Sequence, residues 1–245
     1  MSNGFKDMKP EERIITALDC WREEALELAD KLAGQAVWFK VGMTLYYVEG
    51  PSIVRELKDR GFKVFLDLKF HDIPHQVRGA AHSAVISGAD MITMHTVGGV
   101  EMMAKAREGA GEAARAAGRE EPVTLGITVL TSMDADALAS TGVTRPVGEQ
   151  VLAMAKLARE AGLSGVVASP QEASMLREVL GPDAYIVTPG VRPAGAALGD
   201  QKRVATPAKA IADGASHIVV GRPITRADDP VAAFHAIAEE LRAGL

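Results

Sequence analysis

Eight short, apolar, β-rich runs recur along this chain, at residues 13–18, 37–41, 63–68, 91–95, 123–130, 165–168, 185–188 and 217–220. They alternate with eight longer stretches rich in Ala, Leu, Glu, Lys and Arg, at 21–32, 51–60, 76–87, 99–117, 148–161, 171–180, 207–213 and 229–241. Within 52–60 the apolar Ile53, Val54 and Leu57 fall at helical spacing, with Arg55, Glu56, Lys58 and Asp59 between them. Strand–helix alternation of this kind builds a parallel sheet with helical crossovers. Parallel strands covered by helices are apolar on both faces, as Val166-Val167-Ala168 and Ile218-Val219-Val220 are. Sharing 245 residues among eight units gives about 31 each, the size of one βα repeat in a closed barrel. The expected fold is α/β: a (β/α)8 TIM barrel, with residues 1–245 forming a single catalytic domain. A doubly wound open sheet competes. It usually has fewer strands and a Gly-rich first turn, and the first turn here reads Ala17-Leu18-Asp19-Cys20-Trp21.

Composition narrows the function. The net charge of −5 speaks against a general nucleic-acid binder, so an anionic ligand must be caught by locally placed Arg, Lys and backbone N–H groups. The single cysteine, Cys20, makes neither an internal disulfide nor a zinc cluster and reads as a buried filler in a cytosolic chain. Residues 1–12 carry Lys6, Asp7, Lys9, Glu11 and Glu12 with no apolar segment, which is unlike a signal peptide. No apolar run approaches the roughly 20 residues that span a bilayer. Neither G-x-G-x-x-G in the first turn nor a P-loop is present, so no motif points to a metal or redox cofactor.

Barrel enzymes place their chemistry at the C-terminal ends of the strands. There this chain carries Asp19 after run 1, Lys40 in run 2, Asp67 and Lys69 in run 3 followed by Asp72, His95 at the end of run 4, and Thr131 and Ser132 after run 5. Gly190-Val191-Arg192 follows run 7 and Gly221-Arg222 follows run 8. Residues two apart on a strand share a face, so Asp67 and Lys69 point into the same mouth. An alternation of lysine and aspartate supplies the partners that buried charges need, either as a reaction centre or as a salt-bridge lattice closing the barrel. The loops after strands 7 and 8 commonly hold phosphate in this fold. Gly221 permits close approach of backbone to a ligand, Arg222 offers a planar fork of donors, and Pro223 suits a first helical turn. The long Gly-rich stretch 190–203 reads as a lid or as a surface loop. His95 and His71 read as structural, and His82, His217 and His235 lie away from the rim.

The string Phe65-Leu66-Asp67-Leu68-Lys69-Phe70-His71-Asp72-Ile73-Pro74 resembles the signature of the orotidine 5′-monophosphate decarboxylase family, bacterial type. The resemblance covers nearly the whole chain. It runs through Ala17-Leu18-Asp19, Phe39-Lys40-Val41-Gly42, Val129-Leu130-Thr131-Ser132-Met133, Thr188-Pro189-Gly190-Val191-Arg192-Pro193, Gly199-Asp200-Gln201 and Val220-Gly221-Arg222-Pro223-Ile224-Thr225, in that order. The bare D-x-K-x-x-D pattern also occurs in related barrels such as 3-keto-gulonate-phosphate decarboxylase and hexulose-phosphate synthase. The extended string with Ile73-Pro74, together with Lys40, is specific to the nucleotide enzyme.

The resemblance implies decarboxylation of orotidine 5′-monophosphate to uridine 5′-monophosphate, the last step of de novo UMP biosynthesis. It implies no cofactor and no metal, a homodimer, a cytoplasmic location, and no nucleic-acid or membrane partner. It implies that Asp19 and Lys40 hold the ribose hydroxyls. It implies that Lys40, Asp67 and Lys69 form a charged array completed by Asp72 of the partner subunit, with Ile73 and Gln76 contributed across the same interface. It further implies that Thr131 meets the pyrimidine, that Gln201 links lid, base and phosphate, and that Arg192, Gly221 and Arg222 belong to the phosphate end. One departure is visible: where the family reads Asp-Ile-Pro-Asn-Thr, this chain reads Asp72-Ile73-Pro74-His75-Gln76. Gln76 still donates and accepts, but it is longer than threonine. The rival readings are a Mg-dependent sugar-phosphate decarboxylase or aldolase of the related barrel group, and a non-catalytic nucleotide-binding barrel.

Overall fold

A computed structural model describes residue 5 and residues 7–193 and 205–243. Eight strands are present: β1 Ile14–Leu18, β2 Trp38–Gly42, β3 Lys63–Phe70, β4 Met91–His95, β5 Val123–Ile127, β6 Gly165–Val167, β7 Tyr185–Thr188 and β8 His217–Val220. Each pairs in parallel with its neighbours, and β1 pairs with both β2 and β8, so the sheet closes into a barrel. The helices are α1 Arg22–Lys31, α2 Met43–Glu49, α3 Pro51–Asp59, α4 Pro74–Ser87, α5 Gly99–Ala116, α6 Ala135–Ser140, α7 Val147–Glu160, α8 Ala173–Leu180, α9 Pro207–Ala212, α10 Arg222–Thr225 and α11 Pro230–Ala243. The eight expected strands and eight expected helices are all found. Three further short helices, α2, α6 and α10, lie in loops that the apolar period does not mark. Strand β3 continues two residues beyond its expected end, to Phe70. Strand β5 stops at Ile127 rather than at residue 130. Beyond it Thr128 still engages β6, with its N–H and its hydroxyl both directed at the Val167 carbonyl at 3.2 and 2.8 Å.

Period-two alternation sorts the strand residues into two cores. Ile15, Ala17, Trp38, Phe65, Met91, Leu125, Val187 and Val219 fill the barrel interior as one buried cluster. Ile14, Leu18, Phe39, Val41, Leu66, Ile92, Val166, Ile186 and Ile218 face outward and join the larger core beneath the helices. Both faces are therefore apolar, and β1 and β2 are buried at every position. The inward parity that places Ile15 and Ala17, Trp38, Phe65 and Met91 in the interior continues upward to Asp19, Lys40, Asp67 and Thr93. The polar residues at the strand ends thus stand on top of a packed hydrophobic plug.

Helices α4 and α5 brace the segment that leads out of β3. A side chain at Gly109 of α5 would lie 2.2 Å from the Arg78 carbonyl oxygen of α4, so only glycine allows this approach. Arg78 also pairs with Glu108 at 3.2 Å and with Glu112 on the facing helix.

At the other end of the barrel His217 is buried and stacks on Tyr185 with ring centroids 5.5 Å apart. Burial, with Arg13 and Lys63 nearby, pulls its pKa down to about 3. The folded value lies below the unfolded one, so its contribution is intact above about pH 6.5 and is lost as pH falls from there toward 3. Proton uptake by the unfolded chain alone should remove about 2 kcal/mol between neutrality and pH 5. His217→Phe is expected to flatten the pH dependence of Tm between pH 7 and 5, followed by calorimetry. An unchanged slope there would show that His217 titrates normally in the fold.

Candidate active site at the mouth of the barrel

Four of the expected residues converge at the barrel mouth. Lys40 Nζ donates to Asp19 Oδ1 at 2.9 Å and lies 3.8 Å from Asp67 Oδ2. Lys69 Nζ donates to the same Asp67 Oδ2 at 2.8 Å. Lys40 and Asp67 are buried, whereas the Asp19 side chain is well exposed. Burial pushes the Asp67 carboxyl up. Lys40, Lys69 and the hydrogen bonds from Lys69 and Thr93 outweigh it and hold the group below the usual carboxylate range. Asp67 is therefore ionised at neutral pH, flanked by two ammonium groups. Gly42 keeps room for this arrangement: a Cβ there would meet Lys40 Nζ at 3.0 Å and Asp19 Oδ1 at 3.2 Å.

Asp67 and Lys69 do meet in the mouth, but β3 is not a regular strand there. Lys69 has φ +54°, and the pairing with β4 shifts between Leu66 and Phe70. The two-residue spacing places the pair on one side, and the bulge aims the lysine.

Two cavities open beside the array and share Lys40, Pro189 and Val219. One, of about 400 Å³, is lined by Asp19, Gly190, Arg192, Gly221, Arg222 and Arg226, among others. Its cations and glycine backbone at the ends of β7 and β8 suit an anion. The other, of about 180 Å³, is lined by Asp67, Lys69 and Thr131 and by Phe65, Ile127, Val129, Leu130, Val167 and Ala168. It suits a flat, partly apolar ring set against charge. Cys20 lines the larger cavity. Burial, then Glu24 and Asp19, push its thiol up to about 11, so it is protonated and inert.

The remaining expectations are placed as follows. Asp72, Ile73 and Gln76 are exposed, and among the described residues Asp72 makes no ion pair; its Oδ1 accepts from the Ile73 N–H at 2.6 Å. They lie outside the array of their own chain. Arg192 is buried and Arg222 exposed, both at the larger cavity. Gln201 and most of the 190–203 stretch lie outside the described residues. His95 is half-buried; burial, His71 and Lys69 lower its pKa against the pull of Asp67, so it is neutral at pH 7. Among the described residues no three His, Cys, Asp or Glu side chains gather as a metal site. No described helix is long and apolar enough to cross a membrane.

Sequence reasoning missed Thr93, Arg226 and the apolar wall. Thr93 is buried and bonds both Asp67 and the Lys69 N–H. Its inward parity, two residues before His95, was the available signal. Arg226 lies four residues beyond Arg222, just after α10, and so returns to the same side.

Sequence and fold comparisons place this chain among known proteins. A family model described as "Orotidine 5'-phosphate decarboxylase / HUMPS family" matches residues 12–237. The chain is 52% identical over 236 residues to an orotidine 5′-phosphate decarboxylase of Moorella thermoacetica, spanning 96% of this chain and 94% of that one. A decarboxylase of the same name from Cutibacterium acnes is 50% identical over 234 residues, spanning 95% and 97%. The crystal structure of orotidine 5′-phosphate decarboxylase from Lactobacillus acidophilus superposes with a TM-score of 0.84 at 40% identity, covering 94% of this chain and 99% of that one. The family match runs from just before the first strand into the last helix, the relatives are about half identical over nearly their whole length, and the chain belongs to the orotidine 5′-phosphate decarboxylase / HUMPS family.

Proposed function

We propose that this chain decarboxylates orotidine 5′-monophosphate to uridine 5′-monophosphate, completing de novo UMP synthesis in the cytoplasm, as a cofactor-free homodimer with one catalytic domain per chain. The observation that carries the reading is the Lys40–Asp67–Lys69 array set between a cationic cavity and a smaller apolar one. The larger cavity takes the ribose phosphate, with Asp19 and Lys40 at the hydroxyls and Arg192, Gly221 and Arg222 at the phosphate. The smaller one takes the pyrimidine, with Thr131 at its edge. Gln201, from the 190–203 stretch, bridges base and phosphate.

The chemistry follows from charge. The bond from C6 to the carboxylate breaks, CO2 leaves, and the electron pair remains on C6. The Lys69 ammonium opposes that negative charge and then delivers its proton to C6; solvent reprotonates the amine. Fixed charges in a low-dielectric site stabilise such a carbanion without an electron sink. The anionic Asp67 beside the departing carboxylate disfavours the bound ground state. Grip on the remote phosphate drives closure and desolvation of the array. Asp72 of the partner subunit completes the array, with Ile73 and Gln76 beside it. Support for that interface comes from the exposed apolar Met43, Ile73 and Val97, which follow the neighbouring ends of β2, β3 and β4.

The test is to mix the protein with orotidine 5′-monophosphate in chelator, follow the loss of substrate absorbance and identify the product. Rapid formation of uridine 5′-monophosphate is expected. Folded, dimeric protein that turns over a sugar phosphate only with added Mg²⁺ would replace this reading with the metal-dependent lyase.

A further inference from the structure

We propose that Thr93 is a positioning residue for the charged array, a role that rests on the function proposed above: one hydroxyl holds both the Asp67 carboxylate and the Lys69 backbone. Thr93 is fully buried on β4. Its Oγ1 donates to Asp67 Oδ1 at 2.9 Å and accepts from the Lys69 N–H at 2.9 Å. A hydroxyl has one proton to give and lone pairs to receive with. An ionised carboxylate only accepts and an amide N–H only donates, so the direction of both bonds is fixed.

The strand register explains why a side chain is needed here. Pairing between β3 and β4 runs Phe65 with Met91 and Leu66 with Ile92, then resumes at Phe70 with Met94. Asp67, Leu68 and Lys69 together stand opposite the single residue Thr93. A bulge of this kind removes the ladder partner of a backbone group. The Lys69 N–H finds its acceptor in the Thr93 hydroxyl instead. Lys69 is also the only non-glycine residue with positive φ among those described. Such a conformation persists where the surroundings over-determine it, and it clusters at functional sites.

The consequence reaches the reacting end of both side chains. With Oδ1 of Asp67 tied to Thr93, Oδ2 faces Lys69 Nζ at 2.8 Å and Lys40 Nζ at 3.8 Å. Among the described residues, Lys40 from β2, Lys69 from β3 and His95 from β4 are the charged or titratable groups around this carboxylate. Without the hydroxyl the carboxylate is free to turn, and the Lys69 backbone is free to leave the left-handed region. Misplacing a reacting group by about 1 Å can cost about 100-fold in rate.

The experiment compares wild type with Thr93→Val, which nearly keeps the shape and loses both bonds, and Thr93→Ser, which keeps the hydroxyl. Expected for Thr93→Val is a fall in kcat of about 10- to 100-fold, with affinity for uridine 5′-monophosphate within about threefold. The acid limb of its kcat profile should move to higher pH, because Asp67 has lost a donor to its charged form. Thr93→Ser should retain kcat within about threefold. If Thr93→Val does not fold, Thr93→Ala takes its place in the same comparison. A Thr93→Val protein with lowered Tm but wild-type kcat and an unmoved acid limb overturns the proposal, as does an equal loss in Thr93→Ser. The side-chain carboxyl of Asp67 is also titrated by ¹³C NMR in each variant. If wild type fails to decarboxylate orotidine 5′-monophosphate, the functional reading falls, while this titration still decides the role of Thr93: raised in Thr93→Val supports it, and unchanged refutes it.

Discussion

Lys69→Ala is expected to lower turnover by about three orders of magnitude or more while leaving uridine 5′-monophosphate affinity within about tenfold. The asymmetry follows from where the ammonium sits. It lies 2.8 Å from Asp67 in the smaller cavity, away from the arginines and glycines of the larger one. The phosphate and ribose contacts proposed for the larger cavity are thus left in place. In the proposed mechanism, what is lost is the cation opposing charge at C6 and the proton that completes the reaction. An interaction made chiefly in the transition state shows in kcat rather than in ground-state affinity. The substitution also leaves Asp67 with the more distant Lys40, at 3.8 Å, as its neighbouring cation beside the Thr93 hydroxyl, so its carboxyl should titrate higher than in wild type. Single-turnover rates and product calorimetry on the same preparation separate the two effects. A rate within tenfold of wild type would remove Lys69 as the proton donor.

Asp72→Asn is expected to be nearly as damaging alone, yet to recover when mixed with Lys69→Ala. Within its own chain Asp72 is exposed and bonds only its neighbour's N–H among the described residues, so it does not serve its own array. If it serves the array of a second copy, a mixed dimer has one site with neither native residue and one site with both. Random exchange of subunits makes about half the dimers mixed, and half of their sites are intact, so activity should reach about one quarter of wild type. Unfolding and refolding the two variants together, then assaying across mixing ratios, gives the curve. Activity that stays at the level of the separate variants, with mixed dimers present by mass spectrometry, would place Asp72 outside the reaction.

The fold was legible because its signals are local and repeated. Each βα unit carries its own apolar run and its own helical period, so an error at one boundary does not change the number of units. The boundaries that shifted did so for tertiary reasons. Strand β5 ends early because β6 spans only Gly165–Val167 and offers no ladder beyond it. Strand β3 runs long because the bulge against β4 lets pairing resume at Phe70. The site residues at strand ends were legible for a related reason: in a closed parallel barrel, chain order already says which ends meet.

The sequence by itself determined that eight parallel strands bury both faces and that Asp19, Lys40, Asp67 and Lys69 stand at one mouth, since period and parity are properties of the chain alone. Only the tertiary structure decided how those charges are aimed. The left-handed Lys69, the hydroxyl of Thr93 across the strand gap, and the shared wall of two cavities depend on register between strands distant in sequence. The hydrophobic pattern says which face of each strand turns inward, but the break in register between Leu66 and Phe70 appears only where β3 packs beside β4.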